Sequence, residues 1–552
     1  MGNYISTSEN IKALPIESTF ELPSPLPTWP PGAGFGHGTV DLGGLLVCQV
    51  TSFNKVWSTL EGGPDNLGAT FFEPSVQEEF FILGCYSQPN NQPLHGWVLA
   101  AKDQSDALRE PIDCSLVWSS ESLKIKQDGV GYIWTPIAPD GYKAMGHIVT
   151  ASPEKPSMKK FRCVREDFTD RCEASTWIWG PGKRMDPSGF NVFSLRPMTR
   201  GTRAPGVAVG TFIAQNSNKG TPISLACLKN NSNSTSFMPN PSQIEAMIQA
   251  YSPWIYFHPH EVYLPSSVSW FFGNGALLYK KGEESKPEPI DPRGSNLPQG
   301  GSNDGAYWLD LPVDGKAKER VKRGDLQSSQ AYFHIKPIYG GTFTDIAIWI
   351  FYPFNGPAKA KVEFFNISLG KIGEHVGDWE HVTLRVSNFS GELWQVYFSE
   401  HSKGTWMDSS QVEFQNGNKA VVYASLHGHA LYPKPGLVLQ GSKGIGIRND
   451  TAKSQFVMDT AEKYCIIAAD YLNTDNAPIV EEPEPPWLNY FREWGPKVMY
   501  DVPREMKKVE KFIPWTLRKA FVKLIRSLPK EVLGQEGPTG PKVKNNWSGD
   551  EA

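Results

Sequence analysis

Asp378-Trp379-Glu380-His381-Val382-Thr383-Leu384-Arg385-Val386 reads as a β-strand, and its alternation decides both the fold class and the first candidate site. Successive side chains of a strand point to opposite faces, so Asp378, Glu380, Val382, Leu384 and Val386 share one face, with His381, Thr383 and Arg385 on the other. The apolar trio marks its face as the core side. Both carboxylates then enter the core at the strand's end, where an uncompensated charge is costly. No Lys or Arg neighbours them on that face, and His375 lies one short turn upstream. Two carboxylates, one imidazole and water suit a divalent cation, and such oxygen-rich ligation favours magnesium, calcium or manganese over structural zinc. The other reading of the pair is a buried set satisfied by Arg385, Lys371 or backbone amides.

In a second stretch, Val421-Val422-Tyr423-Ala424-Ser425-Leu426-His427-Gly428-His429-Ala430, alternation places Tyr423, Ser425, His427 and His429 on one face. Beside the first strand, these residues would line a ligand pocket. The alternative is that the imidazoles bond backbone carbonyls at a strand end. His258-Pro259-His260-Glu261 also brings ligand-type residues together, but Pro259 excludes the regular helix of an H-E-x-x-H metalloprotease. It reads as a structural turn entering Val262-Tyr263-Leu264, with lining of the same pocket as the alternative.

Outward from these strands, the whole chain reads as mainly β. Its 552 residues exceed one core. With 51 Gly, 45 Pro and 18 Trp, short strands joined by tight turns are expected rather than helical bundles. The first half repeats a pattern of aromatic strand, Pro/Gly turn and short β-branched strand: Phe80–Tyr86 with Pro93–Leu99, Tyr132–Pro136 with Gly141–Val149, and Phe190–Pro197 with Pro205–Gly210. Three such units suggest a pseudo-threefold domain, β-prism-like or trefoil-like, over residues 41–228. A leader (1–40) precedes it and a polar linker (229–241) follows. A C-terminal β-sandwich with peripheral helices is expected over 242–502, with a mobile loop at 283–304 and a helix restarting near Ile244–Ile248. Residues 503–552 read as a basic amphipathic helix and an irregular tail.

A net charge of −4 offers no basis for nucleic-acid binding. The seven cysteines are scattered without CxxC spacing, as expected for reduced intracellular thiols rather than a zinc ribbon or a secreted framework. No secretory leader is recognisable and no apolar run is long enough to span a membrane, so an intracellular, cytoplasmic protein is expected. Met1-Gly2-Asn3-Tyr4-Ile5-Ser6 fits an N-myristoylation pattern at Gly2. One acyl chain holds weakly, and the basic stretch Arg504–Lys530, with Leu517, Phe521, Leu524 and Ile525 at helical spacing, could add a second membrane contact. The same spacing equally describes a helix docked on its own protein.

Gly373-Glu374-His375-Val376-Gly377-Asp378-Trp379-Glu380 resembles the metal-binding heptapeptide G-H-R-H-D-W-E of the necrosis- and ethylene-inducing-peptide-like proteins, secreted β-sandwich toxins. Trp349-Ile350-Phe351-Tyr352-Pro353-Phe354-Asn355 resembles their W-Y-F-P-K-D segment. The resemblance implies metal ligation by His375, Asp378 and Glu380, with Asn355 where that family has an Asp ligand. Over most of the chain, Val117–Leu123, Trp254–Pro259, Gly377–Val382, His427–Pro433, Trp494–Pro496 and Gly537–Lys542 resemble the plant branch of the vacuolar protein sorting-associated protein 62 family, which implies a link to vacuolar trafficking. The expected function is a divalent-cation-dependent binder of a polar ligand, a lipid head group or glycan, at membranes. The alternatives are a metal-dependent hydrolase with His427 or His429 as base, or a trafficking adaptor with a structural metal. No G-x-S-x-G elbow or phosphate loop points to another enzyme class.

Overall fold

Phe343–Asn355 is thirteen residues long and buried from end to end, because its run of Ile, Ala, Trp, Phe and Tyr leaves no polar face. The computed structural model places it inside a six-stranded sheet. It describes residues 13–551 except 217–222, 233–234, 401–403, 443–444, 473–483, 498–503, 505–506, 508–510, 512, 527–532 and 534–535. Strand order across the sheet is Thr405–Asp408, Leu393–Phe398, His375–Ser387, Phe343–Asn355, Ala331–Ile338, Tyr464–Ala468. All neighbours are antiparallel except the last pair.

The register sets Tyr352 opposite Asp378, Ile350 opposite Glu380 and Ile348 opposite Val382. Ile346, Ile348, Ile350 and Tyr352 therefore share a core with Val382, Leu384 and Val386, as alternation predicts. A second sheet, built on Trp254–Tyr256 and Lys419–Ala424, closes that core with Ile255, Val422 and Ala424. Helix Pro241–Tyr251 begins at an Asn240/Gln243 capping box and lays Ile244, Met247, Ile248 and Tyr251 onto it, one apolar stripe at helical spacing. The opposite face is also buried. Trp349, Phe351 and Trp379 pack there against helix Val268–Gly273, strands Leu277–Lys280 and Tyr307–Asp310, and an aromatic group of Trp487, Tyr490 and Trp494.

The preceding part holds six small antiparallel sheets, two from each third of the 39–229 stretch apart from one added strand, Gln127–Asp128. None closes into a barrel among the described residues. Each third contributes to a shared aromatic core, where Trp57 and Phe71 meet Trp118, Trp179, Phe190 and Phe212.

Segments that composition alone marks as loose are tied down. Trp29 of the leader donates to the Ser390 carbonyl (3.0 Å) and Phe35 enters the sandwich core. In the linker, Phe237 and Met238 are buried in a core of the first part, and Asn230 donates to the Gly340 carbonyl (2.6 Å). The 283–304 loop is largely exposed, yet Glu288–Pro289 pairs with Leu277–Lys280, and Ile290 and Leu297 are buried. Helix Arg518–Arg526 turns Phe521 and Ile525 into a core with Val362 and Ile445, each worth about 1.5–3 kcal/mol of burial. The end of the chain is irregular but seated: Trp547 stacks on His334 at 3.8 Å, and Glu551 is buried. All seven cysteines are free. No helix among the described residues is long and apolar enough to cross a membrane. Gly2 lies outside the described residues.

Candidate functional site

The His375–Ser387 strand enters the site with a kink. Gly377 has φ +68°, and a Cβ there would lie 2.6 Å from the Trp494 carbonyl oxygen, so only glycine fits. The kink interrupts the simple alternation between His375 and Asp378. His375 donates from Nδ1 to the Gly377 carbonyl at 3.0 Å and is buried beside the strand rather than reaching across it. Beyond the kink, Asp378 and Glu380 lie on the core side as expected, and each already has a partner. His429 donates from Nδ1 to Asp378 Oδ2 at 2.9 Å. The Ser399 hydroxyl donates to Glu380 Oε2 at 2.7 Å.

The hydrogen-bond partner opposite Asp378 is thus a histidine of the second candidate stretch, delivered by a different geometry from the one expected. The strand ends at Ala424, and His427 and His429 sit in the turn beyond it with φ of +69° and +56°. Ser425 closes that turn, its N–H donating to the Ala430 carbonyl (2.9 Å) and its carbonyl accepting from the His429 N–H (3.0 Å). A turn can direct both imidazoles inward while Tyr423, still on the strand, faces elsewhere. Tyr423 stacks on Tyr256 and donates to Glu413 (2.7 Å), which removes it from the pocket.

His427 is held by Glu261, from the His258–Glu261 turn, which thereby lines the same pocket. Glu261 accepts the His427 backbone N–H at 2.6 Å and faces its Nδ1 at 3.3 Å, and it also accepts from the N–H groups of Val262 and Tyr263. The signal lay in the sequence as His258-Pro259-His260-Glu261, but its pairing with residue 427 depends on chain crossing. Tyr352 is a member that the sequence reading missed. Its ring stacks on His429 with centroids 3.9 Å apart. Burial, followed by the nearby charges of Glu380, Asp378 and Glu261, pushes its hydroxyl well above the usual tyrosine range, so it stays protonated.

Electrostatics keep the carboxylates charged. Burial alone would raise the Asp378 carboxyl, but the His429 hydrogen bond and the charges of His375 and His429 outweigh it and hold the group below its ordinary value. Glu261 follows the same pattern, with burial opposed by His427 and His429. Asn355, opposite His375 in the ladder, uses its amide to tie the Gly356 and Gly373 carbonyls at 3.1 and 2.7 Å. Three buried polar atoms at the centre make no hydrogen bond: His429 Nε2, the Tyr352 hydroxyl and Ser425 Oγ. The donor chemistry of a hard cation is present. Its members are nevertheless bound to one another, and among the described residues no three His, Cys, Asp or Glu side chains are placed to hold one ion together.

Similar solved structures include GNIP1Aa from Chromobacterium piscinae, 18% identical over 38% of this chain and 40% of that one, with a TM-score of 0.29. A structure described as "Toxin fold as basis for microbial attack and plant defense" is 16% identical over 36% of this chain and 72% of its own, TM-score 0.20. "NLPPya in complex with glucosamine" matches at 16% identity over 36% and 71%, TM-score 0.20. The chain spans less than half the length of GNIP1Aa. No curated protein matches it. The family model described as vacuolar protein sorting-associated protein 62, by contrast, matches residues 16–551, nearly the entire sequence, and the chain belongs to that family.

Proposed function

We propose that the chain is an intracellular binding protein of the vacuolar-sorting machinery, without catalysis of its own. Its ligand is a polar group, a lipid head group or glycan, taken at the Glu261, Asp378, Glu380, His427 and His429 cluster with a divalent cation as the bridge. The observation that carries this reading is the set of partnerless polar atoms at the cluster's centre, His429 Nε2 and the Tyr352 hydroxyl, flanked by three carboxylates. Buried polar atoms are rarely left unsatisfied, and a site that satisfies them only on binding is a natural receptor. A cation would be held by Asp378, Glu380 and His375, and it would supply a positive charge to which an anionic or hydroxyl-rich ligand can attach. Those three are not assembled around one point, so its entry must open the His429–Asp378 bond. Acylation at Gly2 would bring the site to a membrane surface.

Metal content of the purified protein, beside Asp378→Ala and Glu380→Ala, is the first test. A bound equivalent that disappears in both variants supports the bridge; equal content in all three removes it. Binding to lipid and glycan arrays with and without chelator then asks whether a ligand follows the ion. A chelator-insensitive profile would leave the cluster a structural feature of a trafficking adaptor.

A further inference from the structure

A cleft lies away from that cluster, where the first part meets the sandwich. Arg385, in its wall, is seven residues along the strand from Asp378, a distance of roughly 23 Å. The cleft encloses about 400 Å3, within the usual range for small-molecule sites. One wall is the Cys172–Trp179 strand with the loop following Tyr86–Pro89; the other is the edge of the main sheet, Leu393–Phe398 and Thr405–Asp408.

Both walls carry aromatic rings among polar side chains. Trp177 is 41% exposed, unusual for the largest apolar side chain. The other wall contributes Trp406 and the buried Trp394, the latter stacked under His95 at 4.2 Å. Asp408 lines the cleft from the same strand as Trp406. Its two oxygens accept from the Gln92 and Gln395 amides at 3.0 and 2.8 Å, and it has no ion-pair partner among the described residues. The wall also contains polar atoms without partners: Ser87 Oγ, His95 Nε2 and the Trp394 indole N–H. The cations nearby are already engaged, Arg385 by Asp345 and Asp550, and Arg196 by Glu173.

An exposed indole together with a fixed planar acceptor suits one ligand class above others. A pyranose ring has an apolar face of C–H groups that stacks on indole, and a rim of hydroxyls that bonds in pairs to carboxylate and amide. An anion would meet the uncompensated Asp408 without a free guanidinium to receive it. An organic cation would meet the Arg385 guanidinium 4.1 Å above the Trp406 ring. We infer that this inter-domain cleft is a binding site for a neutral oligosaccharide, independent of the cation-linked cluster, with Trp177 as stacking platform and Asp408 as hydroxyl acceptor.

The test uses the full-length protein and intrinsic tryptophan fluorescence, with cellobiose, maltotriose, chitobiose and mannobiose as probes, and sialyllactose and choline as controls. At least one neutral sugar should bind with a Kd below about 1 mM, unaffected by EDTA. Trp177→Ala and Asp408→Asn should each weaken it at least about tenfold, with unchanged melting temperature. Trp177 is exposed, so its loss does not threaten folding. The inference is overturned if no neutral probe binds by about 10 mM, if both variants bind as the parent does, or if choline or sialyllactose is preferred. Abolition of sugar binding by EDTA would assign the ligand to the cation-linked cluster instead.

Discussion

Asp345→Ala should lower the melting temperature of the sandwich by about 6–20 °C. Arg385 is 3% exposed, and Asp345 is its fully buried partner. Two parallel bonds join them, Nε to Oδ1 and Nη2 to Oδ2, both 2.8 Å. The guanidinium has further support from Asp550 (2.7 Å), the Tyr339 hydroxyl (3.1 Å) and the face of Trp406. Removing Asp345 takes away both strong bonds and leaves Arg385 to Asp550, which Arg200 also claims at 2.9 Å. Breaking one side of a buried ion pair costs about 3–5 kcal/mol. At about 2–4 °C per kcal/mol for a unit of this size, the predicted shift follows. Calorimetry at neutral pH gives the shift, and near-UV circular dichroism of the tryptophan-rich sheet assigns the transition. The companion variant is Asp345→Leu with Arg385→Met, which removes both charges and should cost at least about 2 kcal/mol less than the sum of the single changes. Melting of Asp345→Ala within about 2 °C of the parent, or strict additivity in the double variant, would refute a tightly coupled pair.

Three further outcomes are expected. Burial pushes the Glu392 carboxyl up to about 7, so between pH 4.5 and 7 the unfolded chain releases a proton that the folded one keeps, and stability falls as pH rises through that window. Glu392→Gln should flatten this slope and gain about 1–2 kcal/mol at pH 8, read from urea midpoints at pH 5 and 8; an unchanged slope rejects it. Glu551→Ala should cost about 3 kcal/mol, because it deprives Thr383 (2.7 Å) and His381 (3.1 Å) of their acceptor and leaves the fully buried Lys336 ammonium without its nearest carboxylate; a loss under about 1 kcal/mol would mean that the chain end is not structural. In EDTA, which removes any cation-bridged contact, the unacylated parent should not sediment with phosphatidylserine vesicles at physiological salt, since Phe521 and Ile525 are buried in the protein itself, whereas Phe521→Ala should loosen the helix and expose its basic amphipathic surface; strong vesicle binding by the parent in EDTA would contradict that docking.

What the sequence determined by itself was local. Alternation in Asp378–Val386 put Val382, Leu384 and Val386 on the core face and the two carboxylates with them, because a strand's period of two is a property of its own backbone. The mainly β class followed from turn residues and aromatics, and the helix after Pro241 from its own cap and stripe. The vacuolar-sorting family was legible in strings that span the chain. Tertiary structure alone decided who answers the charges. Asp378 meets His429, fifty-one residues away in sequence, Glu261 meets His427 at 166, and Arg385 meets Asp550 at 165. Alternation carried past Ala424 aligns His427 and His429 with Tyr423, but the strand ends there, and the departure into a turn with positive φ has no periodic signature. The polar linker and the C-terminal tail read as loose because their few buried residues, Phe237, Met238, Trp547 and Glu551, find partners only across the assembled fold. Pattern reports which way a side chain points; long-range pairing, set by how sheets and loops close on one another, decides what it points at.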